Sequence, residues 1–205
     1  MIFGLSIIYL NGFSQRDEKI PRYFDSPIII DTTNTILIPT KYNTDFLSSN
    51  KIAFWNNYYA NILITSTDNS EPRKLFETDT YIKPLIINNN DRYSYKLDYK
   101  HSKSIYNDWI FFLVKNNDLD KNKRIDEKDP TILYVADLNV NGIKKITNEN
   151  ENVIEYYVYE NQNLVMIKIQ RDLNKDQNFT DKDKDFYFLF MEYKTLKEIK
   201  RLEIE

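Results

Sequence analysis

The sequence predicts an all-β fold built from antiparallel, blade-like repeats. Aromatic residues make up 15% of the 205 residues, with 16 tyrosines and 12 phenylalanines, and these side chains suit half-buried pleated surfaces. Short apolar runs alternate with asparagine-rich turns, which is the pattern of strands joined by tight connections. Two long segments also repeat the same order of apolar and acidic stretches. These three observations favour strands throughout the chain.

Twelve apolar runs are predicted as strands, namely residues 27–30, 35–38, 51–55, 58–65, 81–87, 109–115, 131–138, 143–146, 153–159, 163–170, 186–193 and 196–204. Asn141-Gly142 carries the strongest hairpin signal. Because the chain has only three glycines, asparagine is expected to supply the turn positions with positive φ. The three-residue spacing of Leu196, Ile199 and Leu202 would also suit a helix, but the repeat favours a strand there.

The repeat aligns residues 109–146 with residues 164–202 as strand, acidic loop, strand, turn and strand. A third, shorter copy at residues 51–76 lacks the acidic loop. The units recur at about 54 residues, a spacing within the range of blade repeats. Since such units bury one face against the next unit, we expect a partial or small β-propeller, or alternatively a two-sheet β-sandwich.

One repeat unit resembles the blades of TolB-like β-propellers. The matching residues are Leu133-Tyr134-Val135-Ala136-Asp137-Leu138, followed by Lys145-Ile146-Thr147. The resemblance is good for this unit, fair for the second and weak for the third, and it extends over roughly half of the chain. It implies a propeller of six blades, whereas this chain has room for four at most, and the family's usual glycines are mostly absent.

Two acidic loops carry polar residues at positions 1, 3, 5, 7, 9 and 12 of a twelve-residue window, which is the ligand spacing of an EF-hand calcium loop. Position 7 would contribute only its backbone carbonyl, and an apolar residue at position 8, Ile125 or Phe179, would anchor each loop to the core. The candidate metal ligands are Asp118, Asp120, Asn122, Arg124, Asp126 and Asp129 in the first loop, and Asp172, Asn174, Asp176, Asn178, Thr180 and Asp183 in the second.

The loops depart from EF-hands in three respects. Position 6 is Lys123 or Gln177 instead of glycine, position 12 is aspartate as in dockerins, and predicted strands flank both loops. We expect calcium to bind as a structural ion, with a dissociation constant of about 10⁻⁴–10⁻³ M. The alternative is that both are ordinary solvated hairpin loops, because Asp and Asn favour turns for reasons unrelated to metals.

The N-terminus resembles a secretory signal peptide. Residues 2–10 are almost entirely apolar, and small and polar residues follow before the first charge at Arg16. We predict cleavage after Ser14 and one β-rich domain over residues 15–205, located in the periplasm or outside the cell. The alternative is that residues 2–10 form a buried first strand. The apolar run is too short to span a membrane as a helix.

Composition excludes several classes of function. The chain has no cysteine and a single histidine, His101, predicted to be a solvated loop residue, so thiolate and multi-histidine metal sites are excluded. The net charge of −3 argues against a nucleic-acid partner. No nucleophile elbow, phosphate loop or dinucleotide fingerprint occurs.

We therefore expect a non-enzymatic binding or interaction module whose partner is a protein or a glycan. A carbohydrate-binding or carbohydrate-active domain is the alternative. A third interpretation is a piece of a larger structure, completed by a partner or by self-association.

Overall fold

The computed structural model describes residues 22–43, 57–68, 71–87 and 103–204. The predicted signal peptide, the strand predicted at 51–55 and His101 lie outside these residues. Within them the chain forms thirteen strands and one short 3₁₀ turn, without an α-helix. No helix in the described part of the chain is long and apolar enough to cross a bilayer. The all-β prediction is confirmed.

The strands form three antiparallel sheets that follow one another along the chain. The first sheet contains β1 (Arg22–Phe24), β2 (Ile28–Ile29), β3 (Thr35–Tyr42), β4 (Asn61–Ser66) and β5 (Arg73–Lys74). The middle sheet contains β6 (Tyr81–Ile82), β7 (Trp109–Lys115), β8 (Ile132–Asp137) and β9 (Ile143–Lys145). The last sheet contains β10 (Glu151–Tyr159), β11 (Leu164–Arg171), β12 (Asp185–Glu192) and β13 (Glu198–Ile204), with the 3₁₀ turn Glu160–Gln162 between β10 and β11.

The middle sheet is packed between the other two. Alternate residues of β7 point to opposite faces, as the two-residue period of a strand requires. Ile110 and Phe112 join the core shared with the first sheet, whereas Phe111 joins the core shared with the last sheet. Burying one such side chain contributes about 1.5–3 kcal/mol. Three blade-like sheets therefore stack face to face, and the two-sheet sandwich does not describe this part of the chain.

The repeat is realised as predicted in the middle and last sheets, where each acidic loop joins the two central strands. In the first sheet, β3 occupies the position of the strand before the loop. The predicted third copy contributes β4 and β5, which pair through Leu63 and Lys74. The chain also ends in a strand, β13, as the repeat predicted, and not in a helix.

Among the described residues, asparagine supplies one of the seven non-glycine positions with positive φ, so the prediction is wrong for this part of the chain. These seven positions are Lys121, Lys123, Val140, Asn163, Lys175, Gln177 and Leu196. The hairpin between β8 and β9 does form, but Val140, with φ of 53°, makes its left-handed turn in place of Asn141-Gly142. Val140 is buried in the core between the first two sheets, and this apolar contact offsets its backbone strain.

Candidate metal centre

The two acidic loops lie side by side at the same end of neighbouring sheets. The first joins β7 to β8 and the second joins β11 to β12. The backbone N–H of Phe179 in the second loop donates to the carbonyl of Lys128 in the first, at 2.8 Å. Phe179 is buried, as predicted for position 8, whereas Ile125 at the same position of the first loop is half-buried. The stacking of the sheets thus brings the two loops into direct contact.

The first loop is organised by its own carboxylates, which accept hydrogen bonds from its backbone. Asp118, at position 1, accepts from the N–H groups of Asn122 and Lys123 at 3.0 and 2.8 Å. Asp129, at position 12, accepts from Leu119 and Asp126 at 2.9 and 2.8 Å. The chain therefore wraps around the carboxylates, so that the first and last positions of the loop face each other.

The second loop repeats this network position by position. Asp172 accepts from Asp176 and Gln177 at 3.3 and 2.8 Å, and Asp183 accepts from Leu173 and Thr180 at 3.2 and 2.9 Å. Three further bonds from a backbone N–H to a side-chain oxygen occur at equivalent positions of the two loops. In the first loop they run from Asn122 to Asp120, from Arg124 to Asn122 and from Lys128 to Asp126. In the second loop they run from Asp176 to Asn174, from Asn178 to Asp176 and from Lys182 to Thr180. The loops therefore share one conformation.

The backbone of both loops is left-handed at positions 4 and 6. Lys121 and Lys123 have φ of 58° and 68°, and Lys175 and Gln177 have φ of 60° and 64°. Position 6 is where an EF-hand has glycine. A residue with a Cβ costs about 1–2 kcal/mol in this conformation. The absence of glycine therefore does not prevent the turn but strains it.

The carboxylates that close the loops are the most deeply buried of the candidate ligands. Asp129 is 1% exposed and Asp183 is fully buried. Burial raises the pKa of Asp129; backbone hydrogen bonds from Asp126 and Leu119 offset part of this rise, and the nearby carboxylates of Asp126 and Asp120 add to it. Burial also acts on Asp183, but hydrogen bonds, chiefly from the backbone and hydroxyl of Thr180, outweigh it and lower the pKa of Asp183. The ionised form of the closing carboxylate is therefore less favourable in the first loop than in the second.

Two side chains that the sequence analysis did not identify hold the loops in place by donating hydrogen bonds to their backbone carbonyls. Lys115, at the end of β7, donates its Nζ to the backbone carbonyls of Asp129 and of Glu127, the latter at 3.1 Å. Gln170, near the end of β11, donates its Nε2 to the carbonyls of Thr180 and Asp183 at 2.9 and 2.8 Å. Burial, helped by nearby Lys83, lowers the pKa of Lys115 to about 8. Lys115 and Gln170 align in the repeat, and this was the signal that could have identified them.

The first loop gathers three carboxylates that could hold a metal ion. One oxygen each from Asp118, Asp120 and Asp129 lies within 4.8 Å of the others. A carboxylate has about four lone-pair sites, so those that accept backbone N–H groups can still bind a cation. The amide of Asn122 donates to Asp120 at 2.9 Å and to Asp126 at 3.4 Å, which joins both residues to the cluster. Oxygen-only ligands suit calcium or magnesium.

The remaining candidate ligands do not form a comparable cluster of carboxylates. Arg124 is exposed, and its backbone N–H donates to Asn122. In the second loop position 3 is Asn174, so among the described residues only the first loop forms a group of three carboxylates. Thr180 bonds Asp183 through its hydroxyl at 3.1 Å, and the Asn178 amide donates to the backbone of Asp176 at 2.8 Å. The first loop is therefore the better candidate site.

The fold and the loops define the class of molecule: an antiparallel β protein of stacked blade-like sheets that carries a pair of matched acidic loops. No protein-family model and no curated protein matches this chain.

Proposed function

We propose that this chain is an exported, non-enzymatic binding or interaction module, located in the periplasm or outside the cell, whose paired loops are stabilised by calcium. The observation that carries the proposal is the matched hydrogen-bond network of the two loops, which brings Asp118, Asp120 and Asp129 within 4.8 Å of one another. The likeness of these loops to EF-hand and dockerin loops, and of the sheets to TolB-like blades, supports the same proposal.

Calcium has a structural role in this proposal. Three like charges held this close repel one another, and a divalent cation would offset that repulsion in the folded state. The first loop carries carboxylates at four ligand positions and the second at three, so the first loop should bind calcium more tightly. Extracellular concentrations of calcium suit sites with dissociation constants of about 10⁻⁴–10⁻³ M.

The test is calorimetric titration of the full chain with calcium. We expect binding that Asp120→Ala weakens. Within the described part of the chain Asp120 accepts hydrogen bonds only from Asn122, so its loss should disturb the loop little. Glu127→Ala, an exposed residue of the same loop, is the matched control and should leave the affinity unchanged. Equal affinities for both variants would argue that the loop is an ordinary solvated connection.

Export is tested separately from calcium binding. Cell fractionation should place the chain outside the cytoplasm, and N-terminal sequencing of the recovered protein should start at Gln15. An intact N-terminus in the cytoplasmic fraction would count against the export part of the proposal and would leave the loops unaffected.

A carbohydrate-binding or carbohydrate-active domain is the alternative, and a cavity of about 310 Å³ bears on it. Its wall includes Tyr187 and two carboxylates, Glu151 and Glu198. Both carboxylates have partners: Tyr187 donates to Glu151 at 3.0 Å, and Arg201 donates to Glu198 at 3.0 Å. A glycosidase needs one protonated carboxyl group that is free to donate its proton to the leaving group, and a second, ionised carboxylate that acts as base or nucleophile. Release of reducing sugar that Glu151→Gln abolishes would favour this alternative.

A further inference from the structure

The two end sheets of the stack expose apolar side chains that the middle sheet does not. The middle sheet is covered on both faces, and its strands contain none of the large exposed apolar residues of the described chain. Six of the eight such residues lie on strands of the end sheets, namely Tyr23, Phe24, Ile29, Tyr159, Ile199 and Leu202. Each end sheet of the stack therefore has exposed apolar side chains.

The outer surface of the last sheet is aromatic. On β12, Tyr187, Leu189 and Met191 point into the core, so the residues that alternate with them point outward. The register of the neighbouring strands places Met166 and Lys168 of β11 and Lys200 and Leu202 of β13 on the same surface. We call this surface the aromatic face: Met166, Phe186, Phe188, Phe190 and Leu202.

Two lysines lie on the aromatic face, because Lys168 pairs with Phe188 across β11 and β12 and Lys200 pairs with Phe190 across β12 and β13. The Nζ of Lys168 lies 5.3 Å from the ring centre of Phe186, and that of Lys200 lies 4.9 Å from the ring centre of Phe190. Long lysine stems can lie along apolar surface while the charged head stays in water. Lys200 can therefore move to the rim when another apolar surface packs on the rings, whereas Lys168 forms an ion pair with Glu155 on the neighbouring strand β10, at 3.7 Å.

The outer surface of the first sheet is aliphatic. Ile29 on β2 is 64% exposed and pairs with Ile36 on β3, and Ile38 on β3 pairs with Leu63 on β4. Cross-strand partners share one side of a sheet. The inner residues of the same strands, Ile28 and Leu37 among them, belong to the core. We call the outer surface the aliphatic face: Ile29, Ile36, Ile38 and Leu63.

We propose that a second copy of this chain packs its aliphatic face on the aromatic face, and that two copies close into one ring of six sheets. Each sheet within the chain already packs an apolar face on the next one, so this contact continues an interface that the fold uses twice. Two identical head-to-tail contacts close under a twofold axis. Six sheets fall within the four to eight blades at which propellers close.

Head-to-tail pairing is favoured over pairing of like faces. The charge of Lys168 is balanced by Glu155, 3.7 Å away, but two aromatic faces placed together would bring Lys200 of both copies into one interface, where like charges repel. The strand pairing of the aliphatic face brings only Lys74, at its edge beside Leu63. This proposal does not depend on calcium binding and goes beyond the proposed function.

The first experiment is light scattering of the full chain during size-exclusion chromatography. We expect twice the 24.7 kDa mass of one chain. Phe188→Glu and Ile38→Glu should each give monomers. An equimolar mixture of the two should regain dimers, because one of the two contacts then joins an unmodified aliphatic face to an unmodified aromatic face. Leu173→Glu, at an exposed residue of the second loop, is the control and should stay dimeric. A monomeric wild-type chain, or a single variant that remains dimeric, would overturn the proposal.

A second measurement does not rely on disruptive variants. The chain has no cysteine, so Ile38→Cys and Phe188→Cys each introduce a unique thiol. Oxidation of an equimolar mixture should yield a covalent dimer that contains one of each variant, identified by mass spectrometry. Covalent dimers of Phe188→Cys alone at the same yield would show that like faces pair, and would contradict the head-to-tail arrangement.

Discussion

Lys115 and Gln170 stand at the same place in successive repeats, and each donates its side-chain nitrogen to the backbone carbonyl of the aspartate that closes its loop. One side chain is charged and the other is neutral, yet each also binds a second carbonyl of the same loop. The geometry of the loop is therefore maintained by a buried donor, and the chemical type of the donor is secondary.

Removing this donor should destabilise the fold. Gln170→Met would remove the side-chain donor of the Asp183 carbonyl and one of the two donors of the Thr180 carbonyl, which keeps the N–H of Asp183 at 3.1 Å. We expect a loss of about 1–3 kcal/mol in the free energy of unfolding. Lys115→Met should also lose stability, but less clearly, because it removes a buried charge at the same time. Lys115→Gln should lose less than Lys115→Met. Denaturant unfolding measures these differences, and exposed Lys144→Met is the control. Equal stabilities of Gln170→Met and the wild type would refute the role of the donor.

Glycine at position 6 should stabilise both loops. Lys123 and Gln177 are exposed and left-handed, so Lys123→Gly and Gln177→Gly remove Cβ strain without loss of packing. We expect each substitution to raise the free energy of unfolding by up to about 1 kcal/mol, because glycine's greater entropy in the unfolded chain offsets part of the gain. The control is Lys128→Gly, since Lys128 is exposed without a positive φ. A loss of stability at all three positions would contradict the left-handed assignment.

The ion pair between Asp25 and Lys41 should make stability depend on pH in the acid range. The Lys41 ammonium, 2.7 Å away, lowers the pKa of Asp25 below its usual value. A lowered folded-state pKa stabilises the protein above the unfolded-state pKa of about 4, and this stabilisation is lost as pH falls through the folded-state pKa. Asp25→Asn should therefore cost about 0.5 kcal/mol at neutral pH and progressively less below pH 4.

Unfolding free energies of Asp25→Asn and wild type at several pH values test this dependence. The amide introduced by this substitution would keep an acceptor for the backbone N–H of Ser26, which now bonds Asp25 at 2.8 Å, so the comparison isolates the charge. Asp31→Asn, in the exposed turn between β2 and β3, is the control. A cost that stays constant down to pH 2 would show that the ion pair does not contribute.

Much of the fold could be predicted because strand periodicity and repeat order are local signals. β7 was predicted with its observed bounds, Trp109–Lys115. The predicted strand at 81–87 pairs only over Tyr81–Ile82, because Pro84 lacks the donor that a longer ladder requires. β3 runs past Pro39, because its neighbour changes there from β2, paired at Leu37, to β1, paired at Thr40. Because the partner strand changes at Pro39, the missing N–H donor is tolerated there. No local sequence pattern predicts this change of partner.

Residue spacing predicted the candidate ligands but not the residues that support them. Regular spacing predicted Asp118 and Asp129 as candidate ligands, because alternate residues of a tight loop turn inward. The left-handed lysines and the donor Lys115 were not predicted, because they depend on how the loop closes against the end of β7. The contact of Phe179 with Lys128 depends on the stacking of two sheets, which sequence spacing does not encode.

Thermal unfolding of the full chain with and without 10 mM calcium tests the central claim most directly. A site with a dissociation constant near 10⁻³ M would add about 1.4 kcal/mol of stability, or roughly 3–6 °C in melting temperature. We predict a rise with calcium that a chelator reverses and that Asp118→Ala combined with Asp172→Ala abolishes, whereas exposed Asp181→Ala retains it. An unchanged melting temperature in 10 mM calcium, or a rise that persists in the double variant, would contradict calcium binding by these loops.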